Sequence, residues 1–166
     1  MTRHRNRSED DGLRRSAYDR ALEMLTRREH SQRELRARLD RSGYDEADAD
    51  AALARLHDQH YQSDERFAEM LLRSRIARGY GPRRIRAELA THGMPAATIQ
   101  RLLAAAATDW LAVATAQLRR QFGAVGSRIA AERARRAQYL LRRGFDASTV
   151  RSATHAELDG ATDDAD

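Results

Sequence analysis

Thirty arginines and no lysine carry the positive charge of this chain of 166 residues. Their spacing is the first hint of chemistry. Arg128, Glu132, Arg135, Tyr139 and Arg142 recur at i, i+4, i+7, i+11 and i+14, with Arg136 and Arg143 alongside, which is one face of a helix. Guanidinium groups interleaved with a ring suit a phosphate backbone and a stacked base. The same spacing also describes a solvated face on which Glu132 pairs within the helix and Tyr139 is half-buried. A second cluster, Arg75, Arg78, Arg83, Arg84 and Arg86, surrounds the turn Gly79-Tyr80-Gly81-Pro82. A helix starting there favours an anion, and two glycines let another backbone come close. The alternative is a plain helix-helix corner with Tyr80 packed inward. Arginine in place of lysine is by itself better explained by GC-rich coding than by bidentate anion recognition.

Other chemistry is absent from the pattern. Without cysteine there are no disulfides, thiolate metal sites or thiol nucleophiles. His57 and His60 flank Asp58, but no third ligand has metal-site spacing, so surface histidines are expected and no metal. Neither a phosphate-binding glycine loop nor a nucleophile motif occurs. The expectation is a protein with no catalytic residues and no cofactor, and not an enzyme.

The elements that position the arginines follow from a period. Gly43-Tyr44, Gly93-Met94 and Gly144-Phe145 recur at intervals of 50 and 51 residues, each glycine four residues after a leucine, Leu39, Leu89 or Leu140. That is an internal repeat. Tyr18, Ala21, Leu22 and Leu25, and again Ala49, Ala52, Leu53 and Leu56, lie at i, i+3, i+4, i+7, the mark of amphipathic helices. Between them, Ser31 to Glu34 has the pattern of a capping box. The second repeat places Phe67, Met70 and Leu71, then Ile85 and Leu89, then Ile99, Leu102, Leu103 and Ala106 on three helices. Gly79 is expected as a left-handed C-cap, and Pro82 and Pro95 in first helical turns. The third repeat follows Thr108 as N-cap, with helices near 109–122, 128–143 and 147–157 and Trp110 in its core. Nine aromatic residues, 41% hydrophobic and 33% charged residues and a mean hydropathy of -0.79 argue against a large core and for helix.

The fold class expected is therefore all-α, three tandem three-helix repeats in a curved, elongated array. A flexible tail spans 1–16, the repeats span 17–62, 63–108 and 109–156, and an acidic disordered tail spans 157–166. Net charge along these segments is +2, -2, +4, +6 and -5. An acidic first repeat followed by two basic ones implies an oriented contact with something anionic. No apolar run approaches the roughly 18 residues of a membrane span, and the start of the chain is too polar for a secretory signal. A soluble cytoplasmic protein without membrane contact is expected.

The segments ALEMLTRREHSQRELRARL at 21–39, DERFAEMLLRSR at 64–75, GYGPRRIRAEL at 79–89 and ERARRAQYLLRRGF at 132–145 together resemble the RecX family of bacterial RecA regulators. GYGPRRIRAEL after a DERFA helix is the most specific of them. The resemblance implies a protein of homologous recombination, DNA repair and the SOS response, and a monomer is expected. It also implies binding to the RecA recombinase filament on single-stranded DNA, with duplex DNA as a further option, and mostly inhibition of recombinase, ATPase and co-protease activities. RecA and DNA contacts would then fall to Arg75, Arg78, Tyr80, Arg83, Arg84, Arg86, Arg128, Arg135, Tyr139, Arg142 and Arg143. A stand-alone nucleic-acid-binding module and a helical adaptor that touches no nucleic acid are the rival readings.

Overall fold

The computed structural model describes residues 15–123 and 129–159, with side chains as far as His155. Among the described residues the regular structure is entirely helical. The elements are α1 (Ala17–Arg27), α2 (Gln32–Arg41), α3 (Glu46–Asp58), α4 (Asp64–Ala77), α5 (Pro82–Thr91), α6 (Ala96–Ala105), α7 (Trp110–Phe122), α8 (Ala130–Arg143) and α9 (Ala147–Asp159).

Local chemistry sets most boundaries. Ser16, Ser31 and Asp45 cap α1, α2 and α3 by accepting from the amides of Asp19, Glu34 and Asp48, satisfying donors that have no partner inside the helix. Gly43, Gly79, Gly93 and Gly144 all have positive φ, between 72° and 90°. They stop their helices in the left-handed conformation, which costs glycine little. Pro82 opens α5 at its first position. Two expectations need correction. Asp109, not Thr108, caps α7, its carboxylate accepting from Ala112 N at 2.9 Å. Pro95 stands at the N-cap of α6, ahead of the first turn, where its fixed φ fits but it offers no side-chain acceptor.

The described residues form two compact units that divide between Phe67 and Ala68. In the first, α1 and α2 pack on α3, burying Ala21, Leu35, Leu39, Ala49, Leu53 and Leu56 with Tyr18, Leu22, Leu25 and Tyr44 at the margin, as the sequence periodicity implies. The start of α4 is tied into this unit by a polar knot. Asp64 Oδ1 accepts from Gln32 N at 2.8 Å and from the buried Gln62 Nε2 at 2.9 Å.

The second unit holds the rest of α4 and α5 to α9. Its last three helices enclose Ala114, Leu118, Leu140, Phe145, Val150 and Ala153, with Trp110, Val113, Phe122 and Tyr139 packed around them. The second and third helical trios share this unit, joined by backbone hydrogen bonds between the start of α5 and the end of α8.

Candidate functional site

The two arginine clusters meet where the second trio of helices joins the third. Gly144, at φ 90°, turns the chain at the end of α8 so that its last carbonyls face the start of α5. Gly81 N donates to Arg143 O at 2.9 Å and Arg83 N donates to Gly144 O at 3.0 Å. A Cβ on Gly81 would overlap the backbone of Gly144 and Phe145, and one on Gly144 would overlap Arg84. The close backbone approach expected of the glycines is therefore present. At the helix start where an anion is expected, the carbonyls of Arg143 and Gly144 already occupy the Gly81 and Arg83 amides. The negative end of α8 thus lies on the positive end of α5, a favourable arrangement of helix dipoles.

Arg143 completes the joint with its side chain. Its Nη1 donates to Arg78 O at 3.0 Å and its Nε to the Tyr139 hydroxyl at 3.1 Å, and the guanidinium lies 4.7 Å from the centre of the Tyr80 ring. The Tyr139 hydroxyl also accepts from Gln117 Nε2 at 2.5 Å. Gln117 is buried on α7, against the bare face of Gly79. Arg84 lies over the Tyr80 ring from 4.4 Å. Half-buried Tyr80 is thus in cation-π contact with two guanidinium groups, neither packed away in the core nor offering a clear ring to a base.

Below Tyr80, α4 and α5 flank an open cleft of about 390 Å³ whose lining includes Arg75, Arg78, Tyr80, Arg84 and Glu88. Arg75 forms a two-pronged pair with Glu88, Nε to Oε2 at 2.8 Å and Nη2 to Oε1 at 2.6 Å. These hydrogen bonds hold the Glu88 carboxyl below its ordinary range, against the opposing effect of burial, and raise Arg75. Arg78, Arg83 and Arg86 are exposed and have no ion pair among the described residues.

The α8 face divides. Arg142 is exposed and unpaired among the described residues, and Arg135 is exposed with its guanidinium 5.7 Å from the Phe122 ring centre. Arg136 is buried, pairs with Glu132 at 3.4 Å and lies over Phe122. Tyr139 and Arg143 belong to the joint. Arg128 lies outside the described residues. Of the sequence-derived site residues, then, Arg75, Arg78, Tyr80, Arg84, Tyr139 and Arg143 come together, while Arg83, Arg86, Arg135 and Arg142 project from the surrounding helices.

Sequence reasoning missed Glu88, Gln117 and His30. Glu88 is four residues after Arg84 and so suggests a pair within α5; its partner is instead Arg75 on α4. Gln117 interrupts the apolar face between Ala114 and Leu118, a usable signal. In the first unit His30 is buried, with Nδ1 3.1 Å from Glu34 Oε2. Burial lowers its pKa, with Glu34 opposing and Arg28 and Arg38 assisting. His57 and His60 are exposed, as expected.

Comparison with known proteins identifies the family and the fold. Family models for the first, second and third three-helix domains of RecX match residues 17–56, 63–103 and 107–154. The chain is 44% identical over 140 residues to "Regulatory protein RecX" of Xanthomonas citri, covering 84% of this chain and 86% of that one. It is 43% identical over the same length to the protein of that name from Stenotrophomonas maltophilia strain K279a, with the same coverage. The fold is similar to the crystal structure of RecX from Lactobacillus salivarius, with a TM-score of 0.70 at 18% identity, over 85% of this chain and 94% of that one.

Proposed function

The chain belongs to the RecX family, and we propose that it acts as a cytoplasmic, non-enzymatic regulator. In this reading it binds the RecA filament on single-stranded DNA and inhibits strand exchange, ATP hydrolysis and co-protease activity. The observation that carries the proposal is the joint between α5 and α8. Backbone hydrogen bonds and Arg143 join two arginine-rich helices, and in this reading their exposed guanidinium groups act as one surface whose spacing the joint sets. A repetitive nucleoprotein lattice is the kind of partner that such spacing can match.

Within that surface, Arg78, Arg83, Arg84, Arg86, Arg135 and Arg142 make the contacts, while Arg75, Tyr80, Tyr139 and Arg143 position them. Repeats spanning 17–62, 63–108 and 109–156 bridge neighbouring RecA protomers, and so either stop filament extension or favour an inactive filament state. No helix among the described residues is long and apolar enough to cross a membrane.

The deciding experiment measures RecA-catalysed ATP hydrolysis and strand exchange with substoichiometric protein, beside binding to single-stranded DNA, duplex DNA and preformed RecA filaments across a salt series. Inhibition with preferential filament binding is expected. DNA binding that is indifferent to RecA would instead identify a stand-alone nucleic-acid module, and binding to neither would identify an adaptor. Adding the protein before or after filament assembly separates blocked extension from an altered state.

A further inference from the structure

We propose that the cleft between α4 and α5 is a subsite for one phosphodiester of a nucleic-acid backbone, and that Glu88 is an internal competitor occupying the Arg75 fork that a phosphate would otherwise take. The inference rests on the nucleic-acid contact proposed above and extends it to a particular site and a particular restraint.

Three guanidinium groups line a cleft of about 390 Å³, within the size range of small-ligand sites. Arg75 presents its Nε and Nη2 edge to Glu88 with distances of 2.8 and 2.6 Å, the two-pronged geometry that guanidinium offers equally to carboxylate and phosphate. Arg84 is held against the Tyr80 ring and Arg78 is exposed without an ion pair among the described residues. The cleft thus carries one exposed cation without an ion pair among the described residues, a second resting on the Tyr80 ring, and a third that its own carboxylate neutralises.

A phosphate is favoured over a stacked base because Arg84 and Arg143 already lie over Tyr80 at 4.4 and 4.7 Å. Binding is therefore insensitive to base identity. Glu88 keeps the cleft from holding the strand at full strength, which suits a protein that moves along or releases a lattice.

The probe is a fluorescent oligothymidylate, followed by anisotropy across a salt series. Glu88→Gln is expected to tighten binding by about three- to tenfold and to steepen the salt slope by roughly 0.7 for one added phosphate contact on a single strand. The gain should vanish in the double variant Glu88→Gln with Arg75→Gln. Glu69→Gln, which removes the same charge from the exposed side of α4 where Glu69 faces Arg73 at 3.8 Å, should tighten binding less. Arg78→Gln with Arg84→Gln should weaken binding, and both side chains are exposed, so that variant folds even if Glu88→Gln does not. An oligomer with abasic positions should bind like the parent, and polyglutamate should compete poorly.

Equal gains from Glu69→Gln and Glu88→Gln would reduce the effect to net charge and overturn the proposal. Strong competition by polyglutamate would overturn the phosphate assignment in favour of an acidic peptide. An unchanged affinity in the Arg78 and Arg84 variant would remove the cleft from the contact, and if that variant still inhibited RecA, the filament reading would stand without the subsite.

Discussion

Gly93 and Gly144 occupy the same place in their repeats, four residues after a buried leucine, and have nearly the same φ, 82° and 90°. Their surroundings differ completely. Nothing lies within 4 Å of where a Cβ on Gly93 would sit, whereas one on Gly144 would overlap the Cβ and backbone of Arg84. At Gly93 the residue type serves the local turn alone. At Gly144 it also makes room for another helix, whose first amide it helps to satisfy. One periodic signal in the sequence therefore marks two physical duties, and the second depends on a neighbour about 60 positions away in the chain.

The strongest way to break this comparison is to give both turns a side chain. Gly93→Ala should cost about 1–2 kcal/mol, the left-handed penalty alone. Gly144→Ala adds displacement of Arg84 and loss of the α5 to α8 hydrogen bonds, for a total of roughly 3–5 kcal/mol. Urea unfolding followed by the fluorescence of Trp110, the single tryptophan, reads the second unit directly. Equal losses at the two positions would show that the joint between α5 and α8 contributes nothing to stability.

The contrast also shows what can be read from the sequence. Period, capping residues and apolar spacing report on contacts within a helix or between chain neighbours, and these were legible: Ser31 as a cap, Gly43, Gly93 and Gly144 as stops, and Leu39, Leu89 and Leu140 as core. Side-chain partners across helices leave no such trace. Arg75 and Arg78 look alike in the sequence, yet Arg75 is bound to Glu88 while the Arg78 side chain is exposed. Arg135 and Arg136 are neighbours, one exposed and the other buried against Phe122. Helical spacing placed the arginines on a face but could not assign them to solvent or to packing. For the same reason the start of α5 looked like an anion site, because its hydrogen-bond acceptors arrive from residues 143 and 144.

A smaller effect sharpens the comparison at single-residue scale. Arg142 and Arg143 are adjacent and identical in type. Arg142 is exposed, while Arg143 binds a carbonyl, a hydroxyl and a ring at once. Lysine keeps the charge but not the planar fork. Arg143→Lys should therefore destabilise the second unit by about 1–3 kcal/mol, and Arg142→Lys by less than about 0.5 kcal/mol. Similar unfolding midpoints for the two variants would mean that charge, not geometry, holds the joint.

The smallest expected effect separates the two units by pH. In the first unit His30 is buried beside Glu34, and burial holds its pKa below the ordinary 6.5. Folding therefore favours the neutral ring. Its contribution is complete above pH 6.5 and is lost as pH falls below that value, because the unfolded chain then takes up a proton that the folded one resists. The second unit has no such group among those whose pKa is displaced; its Arg75–Glu88 pair involves a carboxyl held below 4.5. That contribution is present above pH 4.5 and is lost only as pH falls through the folded value, far from neutrality. Between pH 7.5 and 5.5 the unfolding transition seen by far-ultraviolet circular dichroism, which reports both units, should move toward lower urea, while the Trp110 transition stays nearly fixed. His30→Gln removes the titrating ring and should flatten the first response without altering the second. A Trp110 transition that followed pH in step with the first unit, and lost that dependence in His30→Gln, would show instead that the two units unfold as one cooperative body.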